Sequence, residues 1–375
     1  MPATRTQDST ARVSTLELFF DLVFVFTVTQ VTSIVEHAPS WSTVGQALLE
    51  LLVIYWMYGG FAWFTNTLGA SSPRQRTVLL LGLAAFLVVS LSVPRAFGTD
   101  AVAFGWAYLL LTVVHLCGFL FGGERALARA ILPVAGPNLV AAALIVIAGY
   151  AGAPWHWALW GGAVAVQWLP PLLGGSSGGF PIDPGHFGER HGLMVLIVLG
   201  ESLVSVALAA QDVDVTVGLA LGVLCGLACT TAMWWCYFAQ DDERAATAFG
   251  ASAGRIGALV AYDVPHLPMM AGVLGVAAGA RLALPDLTAP ASTVAATLLG
   301  GGVALYLAGL SLFRAVLGFA PAGPRLVTAV AVLGLIPVGR YLGAAQQFAA
   351  SAAVVTVMLL IERRSEPGER PAAAT

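Results

Sequence analysis

Between residues 16 and 361 the chain strings together twelve stretches of about twenty mainly apolar residues, joined by short connections. A helix of ~20 such residues crosses ~30 Å of hydrocarbon, so this spacing predicts membrane-spanning helices. The expected spans are 16–35, 46–65, 77–94, 101–121, 129–149, 155–173, 190–210, 215–239, 256–280, 292–317, 326–340 and 342–361. Barrel strands would instead alternate apolar and polar residues over ~10 positions. The run VLLLGLAAFLVVSLSV (78–93) does not alternate. Only 10% of residues are charged and 58% are hydrophobic, which leaves too few polar side chains to cover a water-soluble globule. The expected class is an all-α polytopic integral membrane protein of about twelve transmembrane helices, with the lipid bilayer as its solvent. A net charge of −3 excludes a nucleic-acid partner held by positive charge.

Arginine placement orients the spans. All 17 basic residues are Arg. With a cytoplasmic N-terminus, 14 of them fall on the inner side and only Arg95, Arg281 and Arg340 on the outer side. That is the positive-inside bias, and a miscounted span in the middle of the chain would scramble it. Both termini are therefore expected in the cytoplasm. Residues 1–14 and 362–375 read as solvated tails, and the acids Glu17 and Asp21 in the first apolar run argue against a secretory signal.

The Gly/Ser/Pro-rich stretch 174–188 reads as a linker between a first six-helix half (15–173) and a second (189–361). Six spans on each side would give the halves the same orientation. WFTN (63–66) echoes YFAQ (237–240), and Tyr108 echoes Tyr306, as a parallel repeat requires. The last two spans are short and nearly touch at Arg340–Gly343. Gly272, Gly275, Gly279 and Gly300–Gly302 read as faces where helices approach closely. Cys117, Cys225, Cys229 and Cys236 lie inside spans without C-x-x-C spacing, so packing is their plainest role. Trp63 sits at a span end and reads as an interfacial anchor. No phosphate-binding loop or dinucleotide fingerprint is present, and no cofactor is expected.

Ionisable residues inside the apolar runs carry the functional signal, because a charge in hydrocarbon costs at least ~2.5–3.5 kcal/mol and seeks a partner. Glu17 and Asp21 are four apart and share a helix face. In the seventh span, His191, Glu201 and Ser202 share another face. Glu201 lies twelve residues past Glu189, or ~18 Å along the axis, which places it near the bilayer midplane. In the ninth, Asp263 and His266 face the same way, and Pro265 and Pro268 free backbone carbonyls. By depth, Glu201, Asp263 and His266 are expected to share one site. Glu50, His115 and Asn66 are secondary candidates, and for His115 a satisfied interior histidine is the plainer reading. The H-x-x-E-x-H pattern of His186, Glu189 and His191 is a weak metal candidate.

Taken together, LELFFDLVFVFTVTQ (16–30), WFTN, HFGERHGLMVLIVLGES (186–202) and YDVPHLPMMAG (262–272) closely resemble the bacterial low temperature requirement A (LtrA) family. The resemblance implies a polytopic protein of the bacterial plasma membrane. It marks Glu17, Phe20, Asp21, Asn66, Glu189, Arg190, His191, Gly200, Glu201, His266 and Pro268 as motif residues. Asp263 lies where the sequence departs from the family pattern and is not among them.

Three readings of function compete. The leading one is a proton- or ion-coupled transporter or channel moving a small solute, proton or ion between the halves. In it Glu201 binds or relays the ion, His266 titrates beside it, and Asp21 with Arg190 forms an inner gate. A membrane enzyme acting on lipid or headgroup would use His186, Glu189, Arg190 and His191 with Glu17 and Asp21. The third reading is a non-catalytic scaffold or sensor, and an oligomer is compatible with all three.

Overall fold

Serine residues fix where the first three helices begin. Ser14, Ser40 and Ser72 each accept the amide of the residue three positions on, whose side chain returns the bond. These capping boxes satisfy amide groups that a helix start leaves unpaired. They open α1 (Thr15–His37), α2 (Trp41–Leu68) and α3 (Pro73–Ser92). Next come α4 (Ala101–Gly122), α5 (Arg125–Tyr150) and α6 (Trp155–Leu172), then α7 (Pro184–Ala209), α8 (Val217–Phe238) and the short α9 (Asp241–Ala251). A π-helical turn (Leu259–Asp263) leads into α10 (Val264–Ala283), followed by α11 (Thr293–Leu317), α12 (Gly323–Leu333), α13 (Ile336–Tyr341) and α14 (Ala344–Ser365). This is a computed structural model, describing residues 13–122, 125–152, 154–173, 180–209, 214–239, 241–252 and 257–365.

Ten segments among the described residues are long and apolar enough to cross a membrane. Helices α6 and α7 occupy the expected sixth and seventh spans but are not among those ten. The prolines, glutamine and histidine of α6 lower its hydropathy. Large apolar side chains such as Leu80, Leu81, Leu91 and Phe121 stand exposed on the outside, the apolar surface that lipid covers.

Three expected boundaries move. The linker is shorter than 174–188, because Asp183 accepts the amides of Gly185 and His186 and Pro184 takes the first helical position. The C-terminal tail starts later than 362, because α14 runs to Ser365 and Glu362 joins an ion network. The N-terminal tail yields Ser14 to the cap of α1. Residues 1–12, 174–179 and 366–375 of the expected tails and linker lie outside the described residues. The last two spans are separate. Gly343 turns the chain between them at φ 154, where a Cβ would meet the Thr288 carbonyl oxygen at 2.6 Å.

Helix α1 packs on α2 and α3, α2 on α4 and α6, α3 on α4, α4 on α5, and α5 on α6. In the second half α7 packs on α8 and α10, α8 on α11 and α14, α10 on α11, α11 on α12, and α12 with α13 on α14. Contacts between the halves join α1 and α2 to α7 and α10. The Tyr108 hydroxyl donates to the Val53 carbonyl of α2, and the Tyr306 hydroxyl donates to the Met233 carbonyl of α8.

Helices α10 and α11 touch backbone to backbone. A Cβ on Gly302 would lie 2.5 Å from the Gly272 carbonyl oxygen, and one on Gly272 equally close to that of Gly302. Gly301 faces open space. Gly302→Ala is therefore expected to cost about 1–3 kcal/mol of overpacking. It should lower the detergent-solubilised unfolding temperature, while Gly301→Ala leaves it unchanged.

Candidate functional site

The N-terminal ends of α1 and α7 meet as two charged ladders. Glu17 and Asp21 stand one turn apart on α1, and His186 and Arg190 one turn apart on α7. Glu17 divides its two oxygens. Oε2 accepts the Ser14 amide and hydroxyl at 2.8 and 2.7 Å, while Oε1 lies 3.2 Å from His186 Nε2 and 3.1 Å from an Arg190 terminal nitrogen. The other terminal nitrogen of Arg190 donates to Asp21 Oδ1 at 2.7 Å, an oxygen that also accepts the Tyr58 hydroxyl at 3.0 Å. The guanidinium carbon lies 5.8 Å from the centre of the Tyr58 ring. Glu17, Asp21 and Arg190 are at most 2% exposed. Two carboxylates face one guanidinium, so the cluster carries one formal negative charge in excess. Asp21 Oδ2 has no hydrogen-bond partner among the described residues.

Asn66, at the end of α2, fixes the start of α7. Its Oδ1 accepts the Asp183 amide at 3.0 Å, and its Nδ2 donates to the Asp183 carbonyl and to His186 Nδ1. With Nδ1 accepting, the His186 proton sits on Nε2 and points at Glu17.

One residue past Arg190, about 100° further round α7, His191 faces the π turn. Its Nδ1 donates to the Phe187 carbonyl at 2.9 Å, which leaves Nε2 toward Asp263 Oδ1 at 3.5 Å. The imidazole and the carboxylate thus face each other at ion-pair distance. The Trp63 indole N–H donates to Asp263 Oδ2 at 3.0 Å. His266 packs edge-on to His191, with ring centres 4.9 Å apart. Its Nδ1 donates to the Tyr262 carbonyl, and its Nε2 accepts the Tyr237 hydroxyl at 2.9 Å. The π turn that carries Asp263 precedes Pro265, where the helix has already lost a backbone donor.

The expected trio of Glu201, Asp263 and His266 is therefore not the cluster that forms. His191 brings Asp263 and His266 together, whereas Glu201 lies ten residues further along α7, ~15 Å along its axis. Glu201 is buried, and Ser202 beside it bonds back to the Leu199 carbonyl. Glu50 is 1% exposed, away from this cluster. His115 bonds the Gly60 carbonyl at 3.0 Å, an interior histidine of the plainer kind. The metal candidates disperse: His186 turns to Glu17, His191 to Asp263, and Glu189 is exposed with the Val13 amide on its carboxylate. No group of three metal-ligating side chains assembles among the described residues.

Sequence reasoning missed Tyr58 and Tyr237, which look like ordinary members of aromatic runs, and misplaced Trp63 as an interfacial anchor. It also missed a second ion cluster at the inner end of the second half. There Arg314 donates to both oxygens of Asp241 at 2.9 Å and to both of Glu362 at 2.7 and 3.1 Å. Arg325 reaches Asp241 at 2.6 Å and Glu362 at 3.4 Å. Two cations and two anions cancel, so this cluster is a closed structural clamp.

The sequence model described as bacterial low temperature requirement A protein (LtrA) matches residues 12–361. The chain belongs to the LtrA family. It is also similar to a protein of Rhizobium meliloti (strain 1021), "Uncharacterized protein RA0937", at 25% identity over 280 residues, covering 72% of this chain and 68% of the relative. In this LtrA-family chain the motif residues Glu17, Asp21, Asn66, Arg190 and His191 stand at one seam between the halves, although they are far apart in sequence.

Replacing Arg190 with Met removes the only guanidinium from two buried carboxylates. Breaking a buried ion pair from one side costs about 3–5 kcal/mol, so Arg190→Met should unfold well before the native protein in detergent. Adding Asp21→Asn to that variant should restore part of the loss, which a double-mutant comparison of denaturation midpoints would show.

Proposed function

We propose that this LtrA-family membrane protein is a proton-coupled carrier of the bacterial plasma membrane, with both termini in the cytoplasm. The observation that carries this reading is the seam itself. Ionisable side chains from α1 and α7 and from the π turn before α10 line up where the halves meet, with two carboxylates on one guanidinium at one end and His191 3.5 Å from Asp263 beyond it. Buried charge of this kind marks ion pathways in membrane proteins. The matching order of helix packing in the two halves, and the matching tyrosine ties from Tyr108 and Tyr306, support a parallel six-plus-six repeat. Carriers commonly place their sites between such repeats and work by rocking one half against the other.

In this mechanism Arg190 closes the inner end by holding Glu17 and Asp21. His191 and Asp263 exchange a proton when the seam opens, and the His266–Tyr237 hydrogen bond continues the polar path. Glu201 extends the ionisable column along α7 toward the outer side.

The test is proton movement. Protein reconstituted into pyranine-loaded liposomes, with a valinomycin-set potassium potential, is expected to pass protons faster than protein-free liposomes. Asp263→Asn and His191→Gln should each lower that flux by about tenfold or more, the size of a lost proton-transfer group. Native protein that behaves like empty liposomes overturns the reading.

A further inference from the structure

A cleft of about 110 Å³ lies between α2, α5, α6 and the π turn, outside the ion ladder but sharing Asp263 with it. Aromatic side chains form its walls: Tyr55, Trp56 and Trp63 from α2, Trp168 from α6, and Phe180. Pro133 and Pro137 on α5 and Pro170 and Pro171 on α6 complete the lining. Proline has no amide hydrogen, so that side of the cleft offers few backbone donors. Among the described residues no Lys, Arg or His lines it, and Asp263 is its one carboxylate.

Two further polar atoms at the cleft are buried and unsatisfied among the described residues, the Gln167 side-chain oxygen and the Tyr55 hydroxyl. Gln167 spends its amide nitrogen on the Tyr108 hydroxyl at 2.8 Å, which leaves the oxygen as the free end. Buried polar atoms without partners are uncommon and call for an explanation, such as a ligand. Gly59 makes room for the carboxylate, because a Cβ there would lie 2.9 Å from Asp263 Oδ1.

An anion would find no positive side chain in this cleft. A purely apolar guest would leave the Gln167 oxygen unmatched and set carbon against the Asp263 carboxylate. A positive nitrogen with an apolar body answers both features: the carboxylate and the oxygen meet the charge, and aromatic faces attract a cation and cover its carbon atoms. An apolar cavity of ~150 Å³ takes a benzene ring, so a cleft of this size suits a guest of about one ring.

We infer that the cleft binds a small organic ammonium ion, alkyl or aryl, with its nitrogen on Asp263 and its body among Tyr55, Trp56, Trp63 and Trp168. This names a substrate class for the carrier and rests on that reading for what binding does next. In the proposed exchange a proton held between His191 and Asp263, which lie 3.5 Å apart, is displaced by the ammonium that takes the carboxylate. The cation enters, the proton leaves from the histidine side, and the net charge of the site is unchanged. Exchange of an ammonium ion for a proton follows.

Calorimetry on detergent-solubilised full-length protein tests this, with benzylammonium and tetramethylammonium as cations and benzyl alcohol as the neutral match. Benzylammonium should bind at least about tenfold more tightly than benzyl alcohol, the scale of one cation–aromatic contact with a buried counter-ion. Titrations in two buffers of different ionisation heat should count about one proton released per cation bound. Val134→Trp, which fills the cleft from α5, should abolish binding, and Gly59→Ala should weaken it by crowding the carboxylate. Equal affinity for benzyl alcohol, no binding of either cation, or binding that survives Val134→Trp overturns the site. Binding without proton release overturns the exchange. Proton flux in liposomes with no cation binding removes the ammonium site and leaves the carrier, whereas binding with no proton movement when a benzylammonium gradient is imposed across the liposomes removes the carrier and leaves the site.

Discussion

Arg190 sits between two carboxylates of another helix, almost out of reach of water, and the starts of α1 and α7 are arranged around that one side chain. A guanidinium in such a place is tolerable only when its fork meets oxygen on both tines. Glu17 and Asp21, one helical turn apart, supply those oxygens. Ser14 and Tyr58 occupy other lone pairs of the same carboxylates, and Asn66 holds the α7 start that delivers Arg190 to them. The connection between the halves is thus electrostatic at one end, where an apolar contact alone would leave the acids unmatched.

Beyond the arginine the guanidinium–carboxylate pairs give way to two imidazoles and one carboxylate. His191, Asp263 and His266 are tied by bonds to backbone carbonyls and to Trp63 and Tyr237, so each ring nitrogen has a defined role. The π turn matters here because it widens the helix at the residue that must face both His191 and the aromatic cleft. The second ion cluster shows the opposite design. Asp241, Arg314, Arg325 and Glu362 neutralise one another, so they bind the inner ends of α9, α11, α12 and α14 without an unspent charge.

Much of this was legible in the chain. Apolar runs of a definite length gave the helices, because lipid permits little else, and acids four apart on the first span pointed to a shared face that α7 does meet. The pairing of Asp21 with Arg190 was also readable, since both are charges in places that demand partners. Depth along a helix was a poorer guide. It put Glu201 with Asp263 and His266, but how far along α7 its neighbour packs depends on the whole bundle, and the π turn lies level with His191, ten residues before Glu201. Glu362 illustrates the other failure. A charged residue after the last apolar run reads as solvated, and only its juxtaposition with Arg314 and Arg325 shows that it is an anchor. Tyr58 and Tyr237 gave no signal, because a tyrosine among phenylalanines and tryptophans does not announce where its hydroxyl goes.

The two inner corners differ in their resistance to bending. In the second half, charge pairs rivet helix ends to one another. Helices α5 and α6 instead carry Pro133, Pro137, Pro170 and Pro171, each of which deletes a rung from a helix ladder. Helices with missing rungs flex at lower cost than clamped ones. Any relative motion of the halves would therefore deform α5 and α6 first, while the second half turns as a stiff body.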